Sequence, residues 1–87
     1  MDSEAILELR ILAALNPVGT SGRTPTSSLA NRLNLPREQL IPHLEGLAVR
    51  LPRVIDEPIH GWWRITYEGK ARLHQLAEKA AKDLTND

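Results

Sequence analysis

The chain has no cysteine and no phenylalanine, and its only aromatic side chains are Trp62, Trp63 and Tyr67. Without thiols there is no disulfide framework, no zinc ribbon and no thiol nucleophile, so stability must come from packing or from a partner chain. Long apolar runs are missing too. The longest, Ile11 to Leu15, has five residues, against the roughly 20 that a membrane helix needs. The acidic start, Asp2 and Glu4, is unlike the basic head of a signal peptide, so the expected setting is cytoplasmic, with no membrane partner. Neither sign of charge is in excess, with eleven Lys and Arg against eleven Asp and Glu. A neutral chain has no overall attraction for nucleic acid, and any such role must come from local accumulation of charge. Paired carboxylates, a nucleophile elbow and a glycine-rich phosphate loop are all lacking, so no enzyme is expected.

What is present is one domain's worth of chain, residues 1–87, with 41% apolar residues to form a single core. Ser3 to Leu15 reads as an amphipathic helix, with Ile6, Leu9, Leu12 and Ala13 at helical spacing, a stripe widened by Leu7, Ile11 and Leu15, and a start at Ser3-Glu4. Asn16-Pro17 stops it, and 18–23 read as a loop, with room for a short strand near Arg23. Thr24-Pro25 reads as the start of a second helix, Thr24 as cap and Pro25 in the first turn, with Leu29, Ala30 and Leu33 buried. Asn34 suits a left-handed ending, and Leu35-Pro36 opens a third helix, to about Arg50, with Leu40, Leu44, Leu47 and Leu51 on its buried face. Two helices joined so tightly must cross steeply.

After Leu51-Pro52 the period changes to alternation. Arg53 to Asp56 and Trp62 to Thr66 read as strands around a five-residue loop, 57–61. Trp63 and Ile65 then share one face, and Trp62 and Arg64 the other, so one tryptophan belongs to the core. Thr66 is placed to cap a last helix to about Leu84, with Leu73, Leu76, Ala77, Ala80 and Leu84 on one stripe. Gly69, a poor helix former one turn in, is expected to allow close approach to another backbone. The class is mainly α with a small β-hairpin, in the order helix, helix, helix, strand, strand, helix.

The run 28–35, then Leu40, His43-Leu44 and Leu47, and a hairpin ending in Trp63-Arg64-Ile65-Thr66-Tyr67-Glu68-Gly69-Lys70, resemble the winged helix-turn-helix domains of bacterial transcription regulators of the MarR, PadR and ArsR types. The likeness covers residues 5 to about 80. It places the helix-turn-helix at about 24–51, the wing at about 53–66 and the C-terminal helix at about 67–84. It implies a DNA-binding transcription regulator of bacterial or phage type, acting as a dimer on double-stranded DNA. Arg37, Gln39 and His43 would enter the major groove, with Arg23, Arg32, Arg53 and Arg64 on phosphates. His43 also resembles the family's histidine at the edge of the core. The sequence departs from the DNA readers at Ile41-Pro42, where their third helix commonly carries a small hydroxyl and a long polar residue. Pro42 also removes a backbone hydrogen bond and costs about 3 kcal/mol inside a helix.

Divided by segment, the neutral charge becomes uneven. Residues 23–53 carry five arginines against Glu38 and Glu45, a balance of +3, whereas 54–69 carry Arg64 against Asp56, Glu57 and Glu68, a balance of −2. Positive charge thus collects in the helix-turn-helix, beside an acidic wing that repels phosphates. A second function follows from that wing: a winged-helix module or small inhibitor that binds protein and not DNA, with Ile59, Trp62 and Trp63 as anchors. Trp62 is expected either to face outward beside Ile59 or to cover a terminal helix. Leu73, Leu76, Ala80 and Leu84 offer a homodimer interface, though antiparallel packing of the terminal helices within one chain uses the same residues. His60 and His74 make no metal-ligand pattern, so no metal and no cofactor is expected.

Overall fold

The structure, a computed structural model, describes residues 2–85. In chain order it forms helix α1 (Ser3–Leu15), a 3-10 turn (Asn16–Val18), strand β1 (Thr24–Pro25) and helix α2 (Thr26–Leu33). Helix α3 (Arg37–Val49), strands β2 (Ile55–Ile59) and β3 (Trp62–Ile65) and helix α4 (Tyr67–Thr85) follow. The architecture is mainly helical, with one small antiparallel sheet in the order β1-β3-β2.

Helix α1 has the expected length but not the expected face. Its cap is Asp2, which accepts from the Ala5 N–H at 2.7 Å, and not Ser3. Ile11, Leu12 and Leu15 are buried, but Ile6 and Ala13 are exposed, and the fourth buried position is Glu8. Positions 8, 11, 12 and 15 follow the helical i, i+3, i+4, i+7 rule, so a carboxylate occupies a core-facing site. The neighbours that α4 and the end of α3 bring to that site explain it below.

The sheet has three strands, because Thr24-Pro25 does not begin α2. Thr24 pairs with Trp63 and Pro25 with Trp62, and α2 starts at Thr26 with Pro25 in extended conformation as its cap residue. The Thr26 N–H is spent on the Gly61 carbonyl at 2.9 Å. The hairpin is also tighter than a five-residue loop: Ile59 pairs with Trp62 across His60-Gly61, and an irregularity in register between Asp56 and Ile59 absorbs the extra length. Gly61 takes a φ of 82°, which the turn requires and a β-carbon would oppose.

Between α2 and α3 the expected turn is present. Asn34 is left-handed, with a φ of 56°, and the Leu35 N–H donates to the Ala30 carbonyl at 3.1 Å. Helix α3 buries Leu40, Leu44 and Leu47 and runs unbroken through Pro42. Each of those leucines contributes roughly 1.5–3 kcal/mol, which together outweighs about 3 kcal/mol for the internal proline. Leu51 is 80% exposed. The helix ends at Val49 and Arg50 turns extended, so the leucine period stops before it reaches Leu51.

Helix α4 begins as expected. The Thr66 hydroxyl accepts from the Gly69 N–H at 2.9 Å and donates to the Arg53 carbonyl at 2.6 Å, tying helix start to strand entry. A β-carbon at Gly69 would lie 2.0 Å from the Val54 carbonyl oxygen, so the close approach read from the sequence is present. The core joins Ile11, Leu12 and Leu15 of α1 to the leucines of α2 and α3, to Val54, Ile55, Trp63 and Ile65 at the sheet, and to Leu76 of α4.

Candidate nucleic-acid interface

Helix α3 turns Leu40, Leu44 and Leu47 inward, and Arg37 and His43, each three residues from Leu40, flank that stripe. Arg37, Glu38, Gln39, Pro42 and His43 are exposed, and Ile41 is half-buried. One tertiary hydrogen bond holds this helix at its C-terminal end, beside two neighbouring helices that brace each other. At its start, the Pro36 carbonyl accepts from the Gln39 and Leu40 N–H groups, both at 3.1 Å. Next to it, α1 and α2 are cross-braced. Arg10 donates to the Leu33 carbonyl at 2.6 Å and Arg32 to the Ala14 carbonyl at 3.1 Å, each arginine satisfying the last turn of the other helix. At the end of α3, Arg50 donates to Glu8 Oε2 at 2.8 Å, and Arg72 of α4 donates to the same oxygen at 3.0 Å. Buried Glu8 therefore ties α1, α3 and α4 together, which is why a carboxylate is stable at a core-facing position.

The hairpin is fixed to α2 just as firmly. The Gly61 carbonyl accepts from both the N–H and the hydroxyl of Thr26, at 2.9 and 3.1 Å. That hydroxyl in turn accepts from the buried Trp63 indole Nε1–H at 2.8 Å. The acidic residues of the hairpin are occupied within it. Asp56 receives two hydrogen bonds from Arg64, at 2.8 and 3.0 Å, and Glu57 receives the Gly61 N–H at 2.6 Å, with the His60 ring 3.5 Å away. Asp56 raises the Arg64 pKa further above its ordinary value, first through the hydrogen bond and then through its charge.

The residues expected on phosphates thus divide. Arg23 and Arg53, like Arg37 on α3, are exposed and make no ion pair among the described residues. Arg32 is engaged on α1 and Arg64 on Asp56. Gln39 and His43 are exposed beside Arg37 on α3, and His43 lines an open groove of about 380 Å³ between α1 and α3 that Glu8, Arg50 and Arg72 also line.

The apolar candidates divide as well. Trp63 is 2% exposed and so is unavailable as an anchor, whereas Trp62 is 41% and Ile59 49% exposed. Of the residues expected at a dimer interface, Leu76 is in the core of its own chain and Leu73 packs against that core. Ala80 is half-buried and Leu84 exposed. Packing of α1 against α4 consumes part of the surface that the sequence offers to a partner.

Sequence reading missed Glu8 and Thr26. For Glu8 the signal existed, since it shares a helical stripe with Ile11, Leu12 and Leu15. For Thr26 there was none, because its partners lie 35 and 37 residues away. Among the described residues there is no group of three or more His, Asp or Glu able to hold a metal ion, and no helix is long and apolar enough to cross a membrane. Comparison with protein-family models, curated proteins and solved structures yields no match to this chain.

Proposed function

We propose that this chain is a cytoplasmic DNA-binding transcription regulator of the winged helix-turn-helix type, with α2 and α3 as the helix-turn-helix and β2–β3 as the wing. The observation that carries the reading is the exposed side of α3. Arg37, Gln39 and His43 are exposed on this helix, whose C-terminal end is held to α1 by Arg50 on Glu8. An arginine there matches a guanine edge or a phosphate, and a glutamine an adenine edge. Arg23 and Arg53 supply the phosphate contacts; Arg32 and Arg64, already engaged within the chain, supply rigidity instead.

So few free cations make one copy a weak binder. Three neutralised phosphates give a salt slope of only about −3, and a second copy doubles that. A homodimer in this reading uses the exposed end of α4, Ala80 and Leu84, and leaves Leu73 and Leu76 to the core. The deciding experiment is a mobility shift with duplex DNA at low salt. Binding is expected to weaken steeply with salt and to weaken further in Arg37→Ala. Absence of binding to any duplex, together with an Arg37→Ala variant indistinguishable from the parent, refutes the reading.

A further inference from the structure

Two exposed apolar surfaces of this chain carry opposite charge. The first is the hairpin tip, where Pro25 pairs with Trp62 and Trp62 with Ile59, a row beside the His60-Gly61 turn. Residues 55–65 carry Asp56 and Glu57 against Arg64, a balance of −1. The second is the corner where α3 gives way to β2 and α4 begins. Thr66 holds the Arg53 carbonyl with its hydroxyl and the Val54 carbonyl with its N–H, and an open groove of about 460 Å³ lies there. Pro52, Val54 and Ala71 line it, with Arg50, Arg72 and Glu68. Val49, Leu51 and Tyr67, next in sequence to lining residues, are the most exposed large apolar side chains outside the end of α4. Arg50 and Arg72 share the one carboxylate of Glu8, so Arg50, Arg53 and Arg72 stand against Glu8 and Glu68, a balance of +1.

A basic groove with apolar walls fits an acidic, apolar knob, and every copy of the chain presents both in equal amount. The knob is already stiff. Both donors of Thr26 hold the Gly61 carbonyl and Glu57 holds its amide, so docking orders little that is not ordered beforehand. The tip cannot enter the groove of its own chain. Ile55 pairs at one end of the hairpin and Ile59 at the other, about 13 Å apart along β2, and the groove wall at Val54 lies beyond the Ile55 end. Contact therefore joins different surfaces of two copies. Three side chains on the knob fall well short of the 800 Å² or so per partner of a stable interface, so a single contact of this kind is weak.

We infer that the hairpin tip of one copy, led by Trp62 and Ile59, docks into the groove between Pro52-Val54 and α4 of a second copy, a weak head-to-tail contact. The inference stands apart from the DNA reading. It is tested on the full chain by NMR of the indole N–H groups at high protein concentration. In the parent, the Trp62 signal is expected to shift as concentration rises and to shift back with added salt. The Trp63 signal, buried and held by Thr26, stays fixed and reports an intact fold. Two exposed positions are then changed: Trp62→Ala removes the knob, and Ala71→Glu puts a carboxylate in the groove. In isotope-labelled Ala71→Glu alone, the dependence of Trp62 on concentration is lost. Adding unlabelled Trp62→Ala restores the shift, because that mixture has one intact tip and one intact groove. A Trp62 signal that ignores concentration in the parent overturns the inference. A shift that persists in Ala71→Glu alone, or that Trp62→Ala does not restore, also overturns it and assigns the tip to another surface of the copy.

Discussion

Gly69 lies in the first turn of α4 and Gly46 inside α3, and helix propensity alone favours alanine at both, by about 1 kcal/mol in a helix interior. Their surroundings predict opposite signs. At Gly46, on the exposed side of α3, a new β-carbon meets nothing within 4 Å, so Gly46→Ala is expected to gain about 1 kcal/mol. At Gly69 the β-carbon would lie 2.0 Å from the Val54 carbonyl oxygen and 2.7 Å from Ile65 Cγ1. That carbonyl cannot simply swing away, because it accepts the Thr66 N–H at 3.1 Å. Relief requires moving the start of α4 off the sheet, and overpacking of this kind costs about 1–3 kcal/mol or more. A net loss of about 2 kcal/mol is expected, from a total that for a domain this size is about 4–13 kcal/mol. Thermal unfolding should place Gly69→Ala about 10 °C below the parent and Gly46→Ala about 5 °C above it, and urea titration should give the same order. A Gly69→Ala protein as stable as its parent refutes the claim that α4 meets the sheet through this contact.

Two threonines separated by one residue give another sign test. The Thr24 hydroxyl is buried without a partner, so Thr24→Val should leave stability unchanged or raise it by about 1 kcal/mol, whereas Thr26→Val strands the Trp63 indole N–H and should cost about 1–3 kcal/mol; urea unfolding followed by tryptophan fluorescence reads both. Glu8→Ala releases Arg50 and Arg72, which are partly exposed and can turn to water, so a loss of about 2 kcal/mol is expected by the same titration, and a stabilised variant contradicts the role given to Glu8. If α3 binds duplex DNA, Arg37→Ala should weaken binding uniformly across sequences and reduce the salt slope by about 1 if the contact is to a phosphate, or cost about 1–3 kcal/mol and relax specificity at one position if it is to a base.

The parts of the fold legible in the sequence are those whose signals are local. The left-handed Asn34, the Thr66 cap, the constriction at Gly69 and the inward Trp63 and Ile65 all follow from residue types at fixed offsets. The errors have a common cause. Leu51 fits the leucine period of α3 but lies beyond its end. Ile6 and Ala13 fit a helical stripe of α1 that the rest of the molecule does not cover. In both cases the spacing was right and the partner was missing. Thr24-Pro25 carries good helix-start residues, yet β3 lies close enough to pair with it, and a ladder with a neighbouring strand displaced the local preference.

The candidate site divides along the same line. Arg37 and His43 lie three residues from Leu40, on opposite flanks of the leucine stripe, so helical spacing alone did not make them exposed; what the rest of the chain leaves uncovered did. Which charges remain free could not be read from composition. Arg32 and Arg64 have the same residue type as Arg23 and Arg53, but only tertiary structure brings a helix-end carbonyl or a carboxylate within reach of the first two. The same holds for Glu8, a surface residue by type, made a buried junction by two arginines 42 and 64 residues distant. The sequence by itself thus determined the elements and the leucine stripe of α3, since these depend on neighbours a few residues away. Only the tertiary structure decided which cations, carboxylates and apolar side chains are left over for a partner, because that depends on what the chain has already placed against them.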